Sequence, residues 1–170
     1  MTPKDIVEKF KVNMEKMQKS ELALQSHLKP QLRTYVHIRD FIDRPSSLYK
    51  PLSFIQRKFL MKFITSCLEI SICTGRYSGT ALEDRVCPLT TFCSEQKLVE
   101  TEVHFLLVFP AFDQLRKDWL SRIVVPHGFN LFSDMEKVKQ LVNNPDLVKP
   151  TAQFIIDAFD SRSKLIYSKK

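Results

Sequence analysis

The sequence predicts an all-α, compact multi-helix domain of about seven helices, running through residues 1–170 as a single unit with one short irregular cysteine-containing segment. Three observations predict it. Apolar residues recur at three- and four-residue intervals along most of the chain, and no stretch alternates apolar and polar residues as paired strands would. Three Gly against nine Pro describe helices punctuated by proline rather than tight hairpins. At 170 residues, 44% hydrophobic with thirteen Phe, the chain is long and apolar enough to bury a core and unlike a disordered segment.

Each element has a local reason. Thr2, Pro3 and Asp5 form a good helix start: a cap, a proline suited to the first helical position, and an acid in the electropositive first turn. Ile6, Phe10, Met14, Met17, Leu24 and Leu28 follow at helical spacing and are expected to face the core, with Lys4, Lys11, Glu15 and Lys19 solvated. Pro30 ends that helix. The second, Gln31 to Asp43, turns Leu32, Tyr35, Val36, Ile38 and Ile42 inward, and His37 reads as a surface histidine. A loop bracketed by Pro45 and Pro51 follows. Ser53 caps the third and central helix, whose wide stripe is Phe54, Ile55, Phe59, Leu60, Phe63, Ile64, Cys67, Leu68 and Ile72. Gly75 is expected to stop it in a left-handed cap. Glu100 to Phe109 reads as a short buried helix with Glu100 and Glu102 in its first turn. Ala111 to Val124 follows, with Phe112, Leu115, Trp119 and Ile123 inward. Ser133 with Glu136 is a capping box for a helix ending near Asn143. The last helix starts at Pro150 or Thr151 and buries Phe154, Ile155, Ala158, Phe159, Leu165 and Ile166.

The chemistry concentrates in Arg85 to Arg116. Cys87 and Cys93 are separated by five residues and His104 lies further on, whereas a structural zinc site wants four ligands in closely spaced pairs. The position where a fourth ligand belongs reads Leu106, Leu107, Val108, Phe109. A metal at Cys87, Cys93 and His104, completed by water or Cys73, competes with the simpler reading of three buried side chains, since cysteine packs as a small hydrophobe.

These residues also carry a family resemblance. Gly75-Arg76-Tyr77, Arg85, Cys87, Val99-Glu100, Glu102, His104-Phe105-Leu106-Leu107, Pro110, Phe112, Leu115 and Arg116 resemble the region after the polymerase core of non-LTR (LINE-type) retrotransposon reverse transcriptases. That family reads Cys-x-x-Cys, then VEDE-x-HFLL, then Cys-Pro: a zinc knuckle followed by helices. Against it, Thr90 stands at the second cysteine position and Phe109 at the last. The resemblance therefore implies a degenerate zinc-knuckle-like segment over 85–116, with no cofactor required and at most residual zinc.

Composition narrows the function. A net charge of +7 and a pI near 9.3 permit attraction to phosphates. Four Cys do not form a disulfide framework, the charged amino-terminal stretch does not read as a secretory signal, and no apolar run approaches a membrane span. An intracellular protein, nuclear or cytoplasmic, with no membrane partner is expected. No paired polymerase aspartates, phosphate-binding loop or hydrolase triad is present, so no enzyme is expected. The reading is a non-catalytic, retroelement-derived domain that binds RNA or DNA weakly and without sequence preference. Its phosphate contacts would be Arg33, Arg39, Arg57, Lys58, Arg76, Arg85, Arg116 and Lys117. The alternative is a protein-interaction or structural helical module with no nucleic-acid role.

Overall fold

The computed structural model describes residues 3–29, 33–38, 49, 51–89 and 98–168. Seven α-helices are placed among them: α1 (Pro3–Leu28), α2 (Arg33–Ile38), α3 (Phe54–Ile64), α4 (Ser71–Tyr77), α5 (Asp113–Leu120), α6 (Asp134–Asn143) and α7 (Val148–Tyr167). Short 3-10 turns at Leu82–Asp84, Pro110–Phe112 and Phe129–Leu131 and a π-helical turn at His104–Val108 connect them. The fold is all-α and compact. Its one β feature among the described residues is an isolated antiparallel bridge between Val86 and Val99.

Helix α7 is the axis of the core, packing along α3 and against α5 and α6. Its face Phe154, Ile155 and Ala158 is buried, and the Phe154 ring stacks on Trp119 of α5 at 4.3 Å. Phe59 of α3 meets Phe159 edge-on at 5.6 Å. Helix α2 packs on α6 and α3, where Ile38 is fully buried and Asn143 Nδ2 donates to its carbonyl at 2.7 Å, closing a helix end. The Ser53 cap forms a reciprocal capping box with Gln56 at the start of α3, and Ser133 accepts from the Glu136 N–H at the start of α6.

Three expectations are corrected. The central helix does not run to Gly75. It stops at Ile64, where the Cys67 N–H returns to the Lys62 carbonyl at 2.7 Å and the Ser66 N–H to Phe63 at 3.2 Å. This is a Schellman closure with Ser66, at φ 53°, in the left-handed position glycine usually takes. The buried Ser66 hydroxyl bonds Thr34 Oγ1 at 3.1 Å, an anchor that offsets the strain. Gly75 lies inside α4, and Phe54, Ile55 and Cys67 of the expected stripe are exposed. Second, the short buried helix before Pro110 starts at Glu102 rather than Glu100 and is π-helical over His104–Val108. Third, the α1 residues expected to face the core are exposed: Ile6, Phe10, Met14, Met17, Leu24 and Leu28. The core is closed by α3, α5, α6 and α7, and α1 meets the body at α2. No helix among the described residues is long and apolar enough to cross a membrane.

Candidate functional site

The described parts of the 85–116 segment, residues 85–89 and 98–116, fold around one buried carboxylate. The bridge sets Arg85 beside Glu100: the Glu100 N–H donates to the Arg85 carbonyl at 3.0 Å and the Cys87 N–H to Leu98 at 2.9 Å. Glu100 is 2% exposed. Its Oε1 and Oε2 take a bidentate pair of bonds from Arg162 of α7 at 2.6 and 2.7 Å, and Oε2 also accepts from the Ser71 N–H at 2.6 Å. One carboxylate thus ties the first turn of α4, the bridge and α7 together. A buried ion pair of this kind contributes little beyond an apolar contact while intact, but losing one partner strands a charge at about 3–5 kcal/mol. Sequence reading missed Arg162, because its partner is 62 residues away and an arginine near a chain's end reads as solvated charge.

The arginines expected at phosphates divide sharply. Arg85 Nε donates to the Thr80 carbonyl at 3.0 Å and Nη1 to Ile72 at 3.2 Å. Arg116 Nε and Nη2 donate to the Leu106 and Phe109 carbonyls at 3.1 and 2.9 Å, and Nη1 bonds Asp113 at 2.6 Å. Burial lowers the Arg116 pKa and Asp113 raises it in part. Arg76 Nη2 donates to Ser66 at 2.5 Å, with its guanidinium 5.9 Å from the Tyr77 ring. These three staple backbone carbonyls of α4, the π turn and the loops beside them. Each such charge-assisted bond contributes about 1.5–3 kcal/mol, more than an exposed ion pair's 0–1 kcal/mol, so the internal partners hold them. Arg57, Lys58 and Lys117 are exposed. The Arg33 side chain and Arg39 lie outside the described residues.

The Arg85 staple explains Gly75. A Cβ built on Gly75 would sit 2.6 Å from Arg85 Cγ and 2.8 Å from Cδ, so the Arg85 stem crosses α4 where there is no side chain. The GRY element is thus a packing device: glycine makes room for Arg85, and the Arg76 guanidinium reaches back to the end of α3.

The zinc expectation meets a buried aromatic column. Cys87 and His104 are buried at 1% and 5% exposure, and Cys93 lies outside the described residues. The π turn closes with the Phe109 N–H on the His104 carbonyl at 2.8 Å, bringing positions 104 and 109 side by side. Phe109 fills that place with its ring 5.6 Å from His104 and 4.5 Å from Phe112, which in turn meets Phe105 at 5.4 Å. A phenyl ring donates no electron pair to a metal, so the residues present do not fit a four-ligand zinc site. Among the described residues no three His, Cys, Asp or Glu side chains are placed to hold a metal ion. Burial holds the His104 pKa below its ordinary 6.5, with Glu100 pulling it up and Arg116 pushing it further down. Glu102 is also buried and accepts from the Cys73 thiol at 3.6 Å.

No family model, curated protein or solved structure matches the chain. Glu100, Glu102 and His104 are sequestered from solvent, and Glu100 is held as a structural ligand of Arg162 and Ser71. Among what the described residues offer to solvent are the apolar stripe of α1 and the scattered cations Arg57, Lys58 and Lys117.

Proposed function

We propose that this chain is a non-catalytic helical domain that works through protein contact, with the exposed face of α1 as its contact surface. The observation that carries the reading is the exposure of Val7, Phe10, Met14, Met17, Leu24 and Leu28 along one 26-residue helix. A helix this apolar on one side is stabilised in water chiefly by covering that side. The resemblance to the post-polymerase region of LINE-type reverse transcriptases supplies the descent. Supporting it, position 109, a cysteine in that family, is the one held against His104 here. Replacing Phe10 with a photo-cross-linking phenylalanine analogue in cells tests the reading. Protein adducts are expected, and an absence of protein adducts contradicts it.

Weak, sequence-independent nucleic-acid binding is the second reading, favoured by adjacent exposed Arg57 and Lys58 on α3 in a chain of net charge +7. Anisotropy titrations at several salt concentrations test it. Binding should weaken linearly in log salt, and removing Arg57 and Lys58 should reduce the slope by about 2.

A further inference from the structure

We infer that the partner of α1 is α1 of a second copy, packed antiparallel as a two-stranded coiled coil. The inference rests on the protein-contact reading and names its occupant. The exposed positions Val7, Phe10, Met14, Met17, Glu21, Leu24 and Leu28 follow one another at intervals of three and four residues without a break. That is a 3.5-residue repeat over three heptads, the narrow seam of a coiled coil rather than the wider stripe of a helix lying on a globular core. Its flanks are polar where they are described: Lys11 and Gln18 on one side, Asn13 and Ser20 on the other, with Ile6 the exception. Among the described side chains the opposite side carries Asp5, Glu8, Lys9 and Lys16 with the apolar Val12. A seam of one helix's width is complementary to another helix of the same repeat, and the chain carries its own match.

Charge sets the direction. Glu21 interrupts the apolar seam, and in a parallel pair it would face Glu21 of the second copy, two like charges in one layer. The antiparallel pair that sets Met14 opposite Met17 of the second copy also sets Val7 opposite Leu24 and Phe10 opposite Glu21. Lys11, next to Phe10, then lies beside the second copy's Glu21 carboxylate, while the Glu21 methylenes lie over the Phe10 ring. Both ends of the symmetric pair gain the same contact, as a two-fold interface requires.

Light scattering on the intact purified chain over a concentration series is the first test. The expected mass is twice the 19.9 kDa of one chain, falling to one chain on dilution. Phe10→Glu with Met17→Glu is expected to give one-chain mass throughout with the main thermal transition unchanged. Lys11→Glu and Glu21→Lys are each expected to weaken the dimer about tenfold by placing like charges together, and the double exchange to restore it. A one-chain mass at every concentration overturns the inference, as does a double exchange no tighter than its two single variants. If the intact chain stays monomeric while position 10 still cross-links to a different protein in cells, the second copy is excluded and the protein-contact reading stands. If neither is seen, both fall.

Discussion

Helices α1 and α7 are the two long amphipathic segments of the chain, and they meet opposite fates. Helix α7 buries Phe154, Ile155, Ala158 and Arg162, whereas α1 leaves its described apolar side chains 39% to 73% exposed. The difference lies in stripe width. On α7 the apolar pairs Phe154-Ile155, Ala158-Phe159 and Leu165-Ile166 make a broad face that needs neighbours on several sides, and α3, α5 and α6 supply them. On α1 the described seam is one residue wide except where Ile6 adjoins Val7, and one helix alongside suffices. Helical periodicity says that a face will be covered; its width says by how much of the molecule.

Substitutions can break or sharpen this contrast. The largest effects belong to α7. Glu100→Ala should cost about 3–5 kcal/mol in urea unfolding, because Arg162 is left buried without its carboxylate. If the same melt moves by less than about 1 kcal/mol, Arg162 reaches solvent and the hub account fails. Truncation makes the comparison directly. Phe154→Ala should cost about 3–5 kcal/mol of domain stability. Phe10→Ala, on an already exposed ring, should change it by about 0.5 kcal/mol or less while weakening self-association.

A smaller loss is expected for Gly75→Ala. Alanine gains about 1 kcal/mol of helix propensity. Its methyl, however, forces the Arg85 stem off two carbonyls, and overpacking costs about 1–3 kcal/mol before those bonds are counted. The melt should therefore fall, and an unchanged or higher midpoint would show that Arg85 does not hold α4.

His104 gives a pH signature to the body and none to α1. Its folded pKa lies below the 6.5 of the ordinary imidazole, so on acidification the unfolded chain takes up its proton first. Stability should be fullest above pH 6.5 and decline as the pH falls through that value, and His104→Gln should flatten the decline. Unfolding measured at about pH 7.5 and about pH 5.5 checks this, and an equal slope in the variant removes His104 as its source. Phe109→Cys is expected to raise zinc affinity at His104 and Cys87, read by competition with a chelating dye. No gain would mean that the π turn does not present positions 104 and 109 in a zinc-ligand geometry.

The sequence made legible what is local. Ser53 with Gln56 and Ser133 with Glu136 announced two helix starts, and the apolar faces of α5 and α7 were readable from spacing alone. The break after Ile64 was not, because a serine in the left-handed region looks like any other serine until Thr34 and the Arg76 guanidinium are placed around it. The π turn was hidden because one added residue per turn leaves an apolar run such as Phe105-Leu106-Leu107 unchanged. The site was least legible in its arginines. Charge is visible in a sequence, but the Thr80, Ile72, Leu106 and Phe109 carbonyls that hold Arg85 and Arg116 are backbone groups that every residue type carries.

Hydrogen exchange of the intact chain at two concentrations, read segment by segment, tests the contrast most directly. The account predicts that α7 amides are equally protected at both, while α1 amides are protected at high concentration and exchange freely on dilution. Protection of α1 that matches α7 and ignores concentration would place its apolar face against the chain's own body and contradict the account.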